Sequence, residues 1–255
     1  MASLSALHCH FRSKTLDMDT DVNVLIPDVE GDDIPVLYLL HGMHGDYTSW
    51  QNGSAIGKYA RTRKIAVVMP SAQNSFYCNM KYGYRYFDFI TEELPAYLAR
   101  MFPILSRKRE KTFIAGLSMG GYGAVKLALR CPDRYAAAAS LSGCLDLASR
   151  AERGEFGWNG IAIANWGPDC FETLPGSDED TVALLDRFPK DREKPRIYFA
   201  CGTEDFLYAE NQTFLSHIKN TDFEYKYEEG PGIHDWIFWD KWILPAIDYM
   251  IGREA

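Results

Sequence analysis

The feature that most constrains this chain is a series of short, almost wholly apolar runs, each cut off by glycine, proline or a Ser-Gly pair. Val36-Leu37-Tyr38-Leu39-Leu40 ends at His41-Gly42, residues 65–69 end at Pro70, Phe113-Ile114-Ala115 ends at Gly116, and residues 135–141 end at Ser142-Gly143. Residues 197–200 and 223–227 continue the series. Five apolar residues in a row leave no polar face, so the strand must be covered on both sides, as in a parallel sheet between helices. Between these runs the apolar spacing becomes helical, at residues 87–101, 122–129, 182–188, 214–218 and 236–250. Alternation of this kind predicts an α/β fold with a mainly parallel central sheet and helices on both faces. Ahead of the series, residues 6–26 read as two strands with residues 17–21 as the turn.

One stretch breaks the alternation. Residues 144–195 are rich in Gly, Pro, Asp and Glu and carry one clear helical pattern, whereas strand–helix connections usually need about 2–6 residues. The expectation is a single domain over residues 1–255 with 144–195 as a cap-like insertion. Phe156, Trp158, Ile161, Ile163 and Trp166 would face the substrate, and Gly154, Gly157, Gly160 and Gly167 would serve as joints.

Charge and cysteine usage exclude several classes. Lys and Arg number 27 against 35 Asp and Glu, a formal net charge of −8, which disfavours binding to a phosphate backbone. The one dense basic run, Arg107-Lys108-Arg109 with Lys111, reads as a solvated turn before a strand. No apolar run approaches the ~20 residues of a membrane span. The six cysteines lie no closer than 13 residues apart, so no zinc-ribbon spacing exists. His8, His10, Arg12 and Lys14 interrupt any leader-like apolar stretch, so a cytoplasmic location is expected. Expected partners are a small molecule and no nucleic acid or membrane, with homo-oligomerisation left open.

The chemistry centres on Gly116-Leu117-Ser118-Met119-Gly120. A G-x-S-x-G pattern arises by chance in about one chain in ten of this length, so its setting decides. Here it follows an apolar strand and opens a helical pattern, the strand–turn–helix setting of a nucleophile elbow. Gly116 and Gly120 leave room for the sharp turn that lifts the Ser118 hydroxyl clear of the sheet. A hydroxyl is a weak nucleophile and needs a base. In the chain order serine, acid, histidine, only His217 and His234 qualify. His217 lies within a helical pattern, while His234 sits in the loop Gly230-Pro231-Gly232-Ile233-His234 after the last strand and is the preferred base.

The acid that orients the imidazole should follow the preceding strand, in Cys201-Gly202-Thr203-Glu204-Asp205. Glu204 and Asp205 both qualify by position, and Asp205 is preferred because it lies beyond the turn. The oxyanion requires two backbone donors: the N–H of Met119, after the nucleophile, and that of Met43 in the glycine loop after Leu40. His41 and His44 lack a third ligand, so neither a metal nor a cofactor is expected. The aromatic stretch at 76–87 lines a pocket or packs; Tyr77, Trp158 and Trp166 are the candidate substrate contacts.

These residues resemble the α/β-hydrolase superfamily, and within it the esterase D-type serine esterases. The stretches concerned are His41-Gly42-Met43-His44-Gly45-Asp46 with Trp50, Gly116 to Ala124, Cys201 to Asp205, and Gly232-Ile233-His234-Asp235-Trp236. More narrowly, the chain is similar to the tributyrin-esterase and cinnamoyl-esterase group of bacteria. The resemblance implies a triad of Ser118, Asp205 and His234, oxyanion amides at Met43 and Met119, and hydrolysis of short-chain acyl or hydroxycinnamoyl esters through an acyl-enzyme. S-Formylglutathione hydrolases and carbohydrate deacetylases, with the same triad, are the alternative.

Overall fold

The apolar runs assemble into one eight-stranded sheet, seen in a computed structural model that describes residues 3–154, 157 and 159–253. Its strands are β1 (Leu4–Ser13), β2 (Met18–Pro27), β3 (Val36–Leu40), β4 (Ala66–Pro70), β5 (Thr112–Leu117), β6 (Ala137–Leu141), β7 (Arg196–Gly202) and β8 (Tyr225–Gly230). Their order is β1-β2-β4-β3-β5-β6-β7-β8. β1 pairs antiparallel with β2, and β2 with β4; every other pairing is parallel.

Period-two alternation divides the central strands between two cores. Val36, Tyr38 and Leu40 of β3 join Ile114 and Val68 beneath the helices Leu94–Met101 and Met119–Arg130. Leu37 and Leu39 join Phe113, Ala115 and Val67 beneath the helices Ile56–Arg63 and Trp236–Met250. Both faces are covered, so the strands carry no polar face.

The structure moves several boundaries. The first hairpin turns at residues 14–17, with Asp17 at φ 51°, and Asp19 and Asp21 belong to β2 opposite Arg12 and His10. Hairpin β1 is an edge strand, so its neighbour can carry carboxylates on the solvent side, and Asp21 accepts from His8 and His10. The helical pattern at 87–101 contains a π-turn, Phe89–Glu93. Pro95 follows it and has no N–H to continue the ladder. Glu93 takes the Ser13 hydroxyl and the Lys14 and Thr15 amides. The helix expected at 214–218 begins at Tyr208, and β8 starts two residues after Phe223.

Residues 144–195 hold four helices among the described residues: Leu147–Glu152, Asn159–Trp166, Cys170–Thr173 and Thr181–Asp186. Glu179 fastens this region to the helix Met119–Arg130: its carboxylate takes Lys126 Nζ at 2.6 Å and Arg130 at 3.2 Å, and the Tyr122 hydroxyl donates to its carbonyl at 2.7 Å.

Candidate active site

Because β3, β5, β7 and β8 run parallel, the loops that follow them emerge at one edge of the sheet. Ser118 occupies the centre of this edge. It joins β5 to the helix Met119–Arg130 at φ 52° and ψ −121°, a conformation that L-residues hold only under strain. A Cβ on Gly116 would lie 2.4 Å from the Gly120 carbonyl, and one on Gly120 would lie 2.4 Å from the Leu40 oxygen. Only glycine therefore fits either side of the turn. The Ser118 amide donates to the Leu141 carbonyl at 2.9 Å, fixing the turn to β6. The side chain is left half-buried and reachable.

His234 Nε2 lies 2.9 Å from Ser118 Oγ. On the other side of the ring, Nδ1 lies 2.9 and 3.1 Å from the two carboxylate oxygens of Asp205. A carboxylate only accepts, so Nδ1 carries the proton and Nε2 presents its lone pair to the serine. Asp205 is 5% exposed, and its Oδ1 also accepts the Leu207 amide at 2.8 Å. The edge of Trp239 meets the imidazole at 5.0 Å, and the exposed Phe206 ring lies 4.5 Å from it.

The acid loop and the histidine loop are laced together. Thr203 N–H donates to the Gly230 carbonyl and Glu204 N–H to the Gly232 carbonyl. In return, the Gly232 amide donates to Glu204 Oε2 at 2.6 Å, which with the Thr203 hydroxyl holds the Glu204 carboxyl below its ordinary range. A Cβ on Gly202 would lie 2.1 Å from the Gly232 oxygen, so glycine is needed for the approach.

The loop at residues 41–45 lies against the serine: a Cβ on Gly42 would come 3.4 Å from Ser118 Cβ. His41 is buried and supports this loop from within. Its Nε2 accepts the Ala72 amide at 2.9 Å, so Nδ1 donates to the Gly42 carbonyl at 2.7 Å. Burial holds its pKa below the usual histidine value. Tyr77, fully buried, donates its hydroxyl to the His41 carbonyl at 2.9 Å. The His44 amide donates to Asn74 Oδ1, and Asn165 Nδ2 donates to the Asn74 carbonyl. Asn74 thus ties the loop to the helix Asn159–Trp166. Among the described residues, no oxygen accepts the amide of Met43 or Met119.

Trp158 and Phe156 lie outside the described residues. Trp166 packs its ring edge-on to Phe76 at 5.2 Å, and its indole N–H donates to Glu179 Oε2 at 3.4 Å. Tyr77 lies under the 41–45 loop instead of in a pocket wall. His217, on the helix Tyr208–Ile218, pairs with Asp186 at 3.4 Å. Beside the loop, a space of about 420 Å³ is bounded by His44, Gly45, Asn74 and Met80 on one side and Ile161 and Ala164 on the other. Sequence reasoning singled out neither Asn74 nor Phe206. Phe206 carries a readable cue, its position directly after the acid; Asn74 carries none, because its partners are 30 and 91 residues away.

A reachable serine on an elbow, an imidazole within hydrogen-bond reach and a buried carboxylate behind it can move a proton from hydroxyl to imidazole and hold the resulting cation. Set on this sheet, they define an α/β-hydrolase, a serine carboxylic-ester hydrolase. The chain belongs to the Esterase family, described as "Putative esterase", which it matches over residues 13–249. It is 35% identical to an acetyl esterase of Caldicellulosiruptor saccharolyticus, over 97% of this chain and 98% of that one. Among solved structures it is similar to fluorophosphonate-binding serine hydrolase F of Staphylococcus aureus, with TM-score 0.89 and 33% identity over 98% of each chain. It is also similar to the S-formylglutathione hydrolase FrmB of Staphylococcus aureus, with TM-score 0.87 and 34% identity over 98% of this chain and 99% of that one.

Proposed function

We propose that the chain hydrolyses short-chain acyl esters through an acyl-enzyme on Ser118. The observation that carries this reading is the 2.9 Å approach of His234 Nε2 to Ser118 Oγ, with Asp205 on Nδ1. Ser118 Oγ attacks the ester carbonyl while His234 takes its proton. The tetrahedral oxyanion is received by the Met43 and Met119 amides, whose N–H groups are left uncommitted by the fold. Collapse expels the alcohol, protonated by His234, and leaves the acyl group on Ser118. Water, deprotonated by His234, then releases the acid.

The acyl group is assigned to the space between the 41–45 loop and the helix Asn159–Trp166. In this reading residues 144–195 are a cap inserted into a single domain, and Ile161 sets acyl length. The acetyl esterase relative supports a short acyl chain over the hydroxycinnamoyl esters of the tributyrin- and cinnamoyl-esterase group. A second reading, a thioesterase acting on S-formylglutathione, is favoured by the similarity to FrmB and uses the same residues.

One panel of kcat/KM values decides, comparing acetyl, butyryl and octanoyl esters, methyl ferulate, an acetylated sugar and S-formylglutathione. Acetyl or butyryl esters should exceed octanoyl esters by about tenfold or more. S-Formylglutathione turned over faster than every oxygen ester would replace the ester reading with the thioester one. No turnover of any of them, with no labelling of Ser118 by a fluorophosphonate, would overturn both.

A further inference from the structure

A cavity of about 720 Å³ lies away from the serine. It lies at the opposite edge of the sheet, where Val36 begins β3 and Thr112 begins β5, and where Arg134 precedes β6. The apolar part of its wall is made by Val36, Phe87, Leu98, Ala99 and Leu105. Its volume is that of a pocket for a small organic molecule.

The polar groups in this wall are unusual for a chain with net charge −8. Four arginines, 107, 130, 134 and 192, face only two acids, Glu92 and Asp133. Arg130 is committed to Glu179 and Asp178 and lies over the Phe87 ring at 4.0 Å, and Arg192 pairs with Asp133. Arg107 and Arg134 have no ion pair or side-chain hydrogen bond among the described residues. This divides the basic run read from sequence as a solvated turn: Lys108 and Lys111 pair with Asp33 and Arg109 with Glu193, while Arg107 reaches the cavity. Tyr38 also lines it. Tyr38 is 6% exposed, and its hydroxyl has no hydrogen-bond partner among the described residues. Burial pushes that hydroxyl's pKa up, and Arg134 is close enough to pull the other way, so the hydroxyl remains a donor.

The Tyr38 hydroxyl opens into the cavity with no protein acceptor, and a carboxylate accepts from both a hydroxyl and a guanidinium. We infer that this cavity binds an amphipathic organic carboxylate, its charge on Arg134 and the Tyr38 hydroxyl and its apolar body along Leu98 and Leu105. The site is separate from Ser118, and the inference does not depend on the reaction proposed there.

Octanoate is the probe, titrated by calorimetry into the wild-type protein and into Arg134→Gln, Tyr38→Phe and Ala99→Trp. Saturable binding with Kd below about 1 mM is expected. Arg134→Gln should weaken it about tenfold or more, Tyr38→Phe by about fivefold, and Ala99→Trp should abolish it by filling the cavity. Unchanged esterase turnover in Arg134→Gln would show that its fold is intact, and 1-octanol should bind at least about tenfold more weakly than octanoate. The inference is overturned by absence of binding up to about 5 mM octanoate. It is equally overturned if Arg134→Gln, correctly folded, binds as wild type does, or if inorganic phosphate competes as well as a second carboxylate, which would leave a bare anion site with no use for the apolar wall.

Discussion

Glu204 Oε2 accepts the Gly232 amide at 2.6 Å, two residues before the histidine that the next carboxylate, Asp205, holds by its ring. The two adjacent acids therefore grip the same loop at different points, one by its backbone and the other by its imidazole. This explains why both looked eligible by position. Asp205→Asn removes the acceptor that sets the tautomer and stabilises the imidazolium, and should lower kcat by about 10³–10⁴. Glu204→Gln loosens the loop but leaves the imidazole paired, and should cost less than about tenfold. Steady-state kinetics on both variants check this; reversed effects would move the acid to Glu204.

Ser118 holds φ 52° without being glycine. Ser118→Ala should remove ester hydrolysis, by several powers of ten, and leave the backbone strain in place. Ser118→Gly should be equally inactive but more stable than the alanine variant, by about 1 kcal/mol, because glycine takes this conformation freely. Paired denaturant titrations decide, and equal stabilities would mean that the elbow stores no strain.

Lys126 is fully buried, with its ammonium on Glu179 Oε2 and the Phe76 carbonyl. Removing the charge of one partner leaves the other uncompensated in the interior. Glu179→Gln should therefore destabilise by about 3 kcal/mol. Lys126→Met, which removes the buried cation and keeps the bulk, should cost less. The two unfolding free energies, compared side by side, test which group creates the penalty.

His41 is buried with its pKa depressed, so the folded state favours the neutral ring. Its contribution to stability is complete above the unfolded histidine value of about 6.5 and is lost as pH falls from there toward the folded value. Between about pH 7.5 and 5.5 wild-type stability should fall more steeply than that of His41→Gln, by about 1 kcal/mol over the interval. Parallel slopes for the two proteins would show that His41 does not titrate differently on unfolding.

The strands and the serine turn were legible because their causes are local. Five apolar residues before a glycine specify β3 whatever surrounds them, and the Gly116 and Gly120 spacing is required by a contact within one turn. The helix at Trp236–Met250 matched to the residue because Asp235 caps it, accepting the Phe238 amide at 3.0 Å. Of the helices within residues 144–195, the one at Thr181–Asp186 was legible as the pattern at 182–188, and the others escaped notice because their support is distant. Thr181 reaches the Leu145 carbonyl, Lys81 the Asn165 carbonyl, and Glu179 the cations of a helix some 50 residues earlier. No short window of sequence contains both ends of such contacts. The same reason hid Asn74.

The preference for acyl length depends on which residue of the helix Asn159–Trp166 meets the acyl group. The sequence alone favoured the tryptophans for their size. In the structure the Trp166 indole is engaged by Phe76 and Glu179, whereas Ile161 and Ala164, on another side of the helix, border the space beside the 41–45 loop. If that space takes the acyl chain, its width is set by Ile161. Ile161→Ala should raise kcat/KM for octanoyl relative to acetyl esters by about tenfold, equivalent to about 1.4 kcal/mol of differential transition-state binding, and Ile161→Phe should shift the ratio the other way. Trp166→Phe should leave the ratio near that of the parent. A ratio that follows Trp166 and ignores Ile161 would place the acyl chain on the far side of this helix, against Leu174 and Glu179.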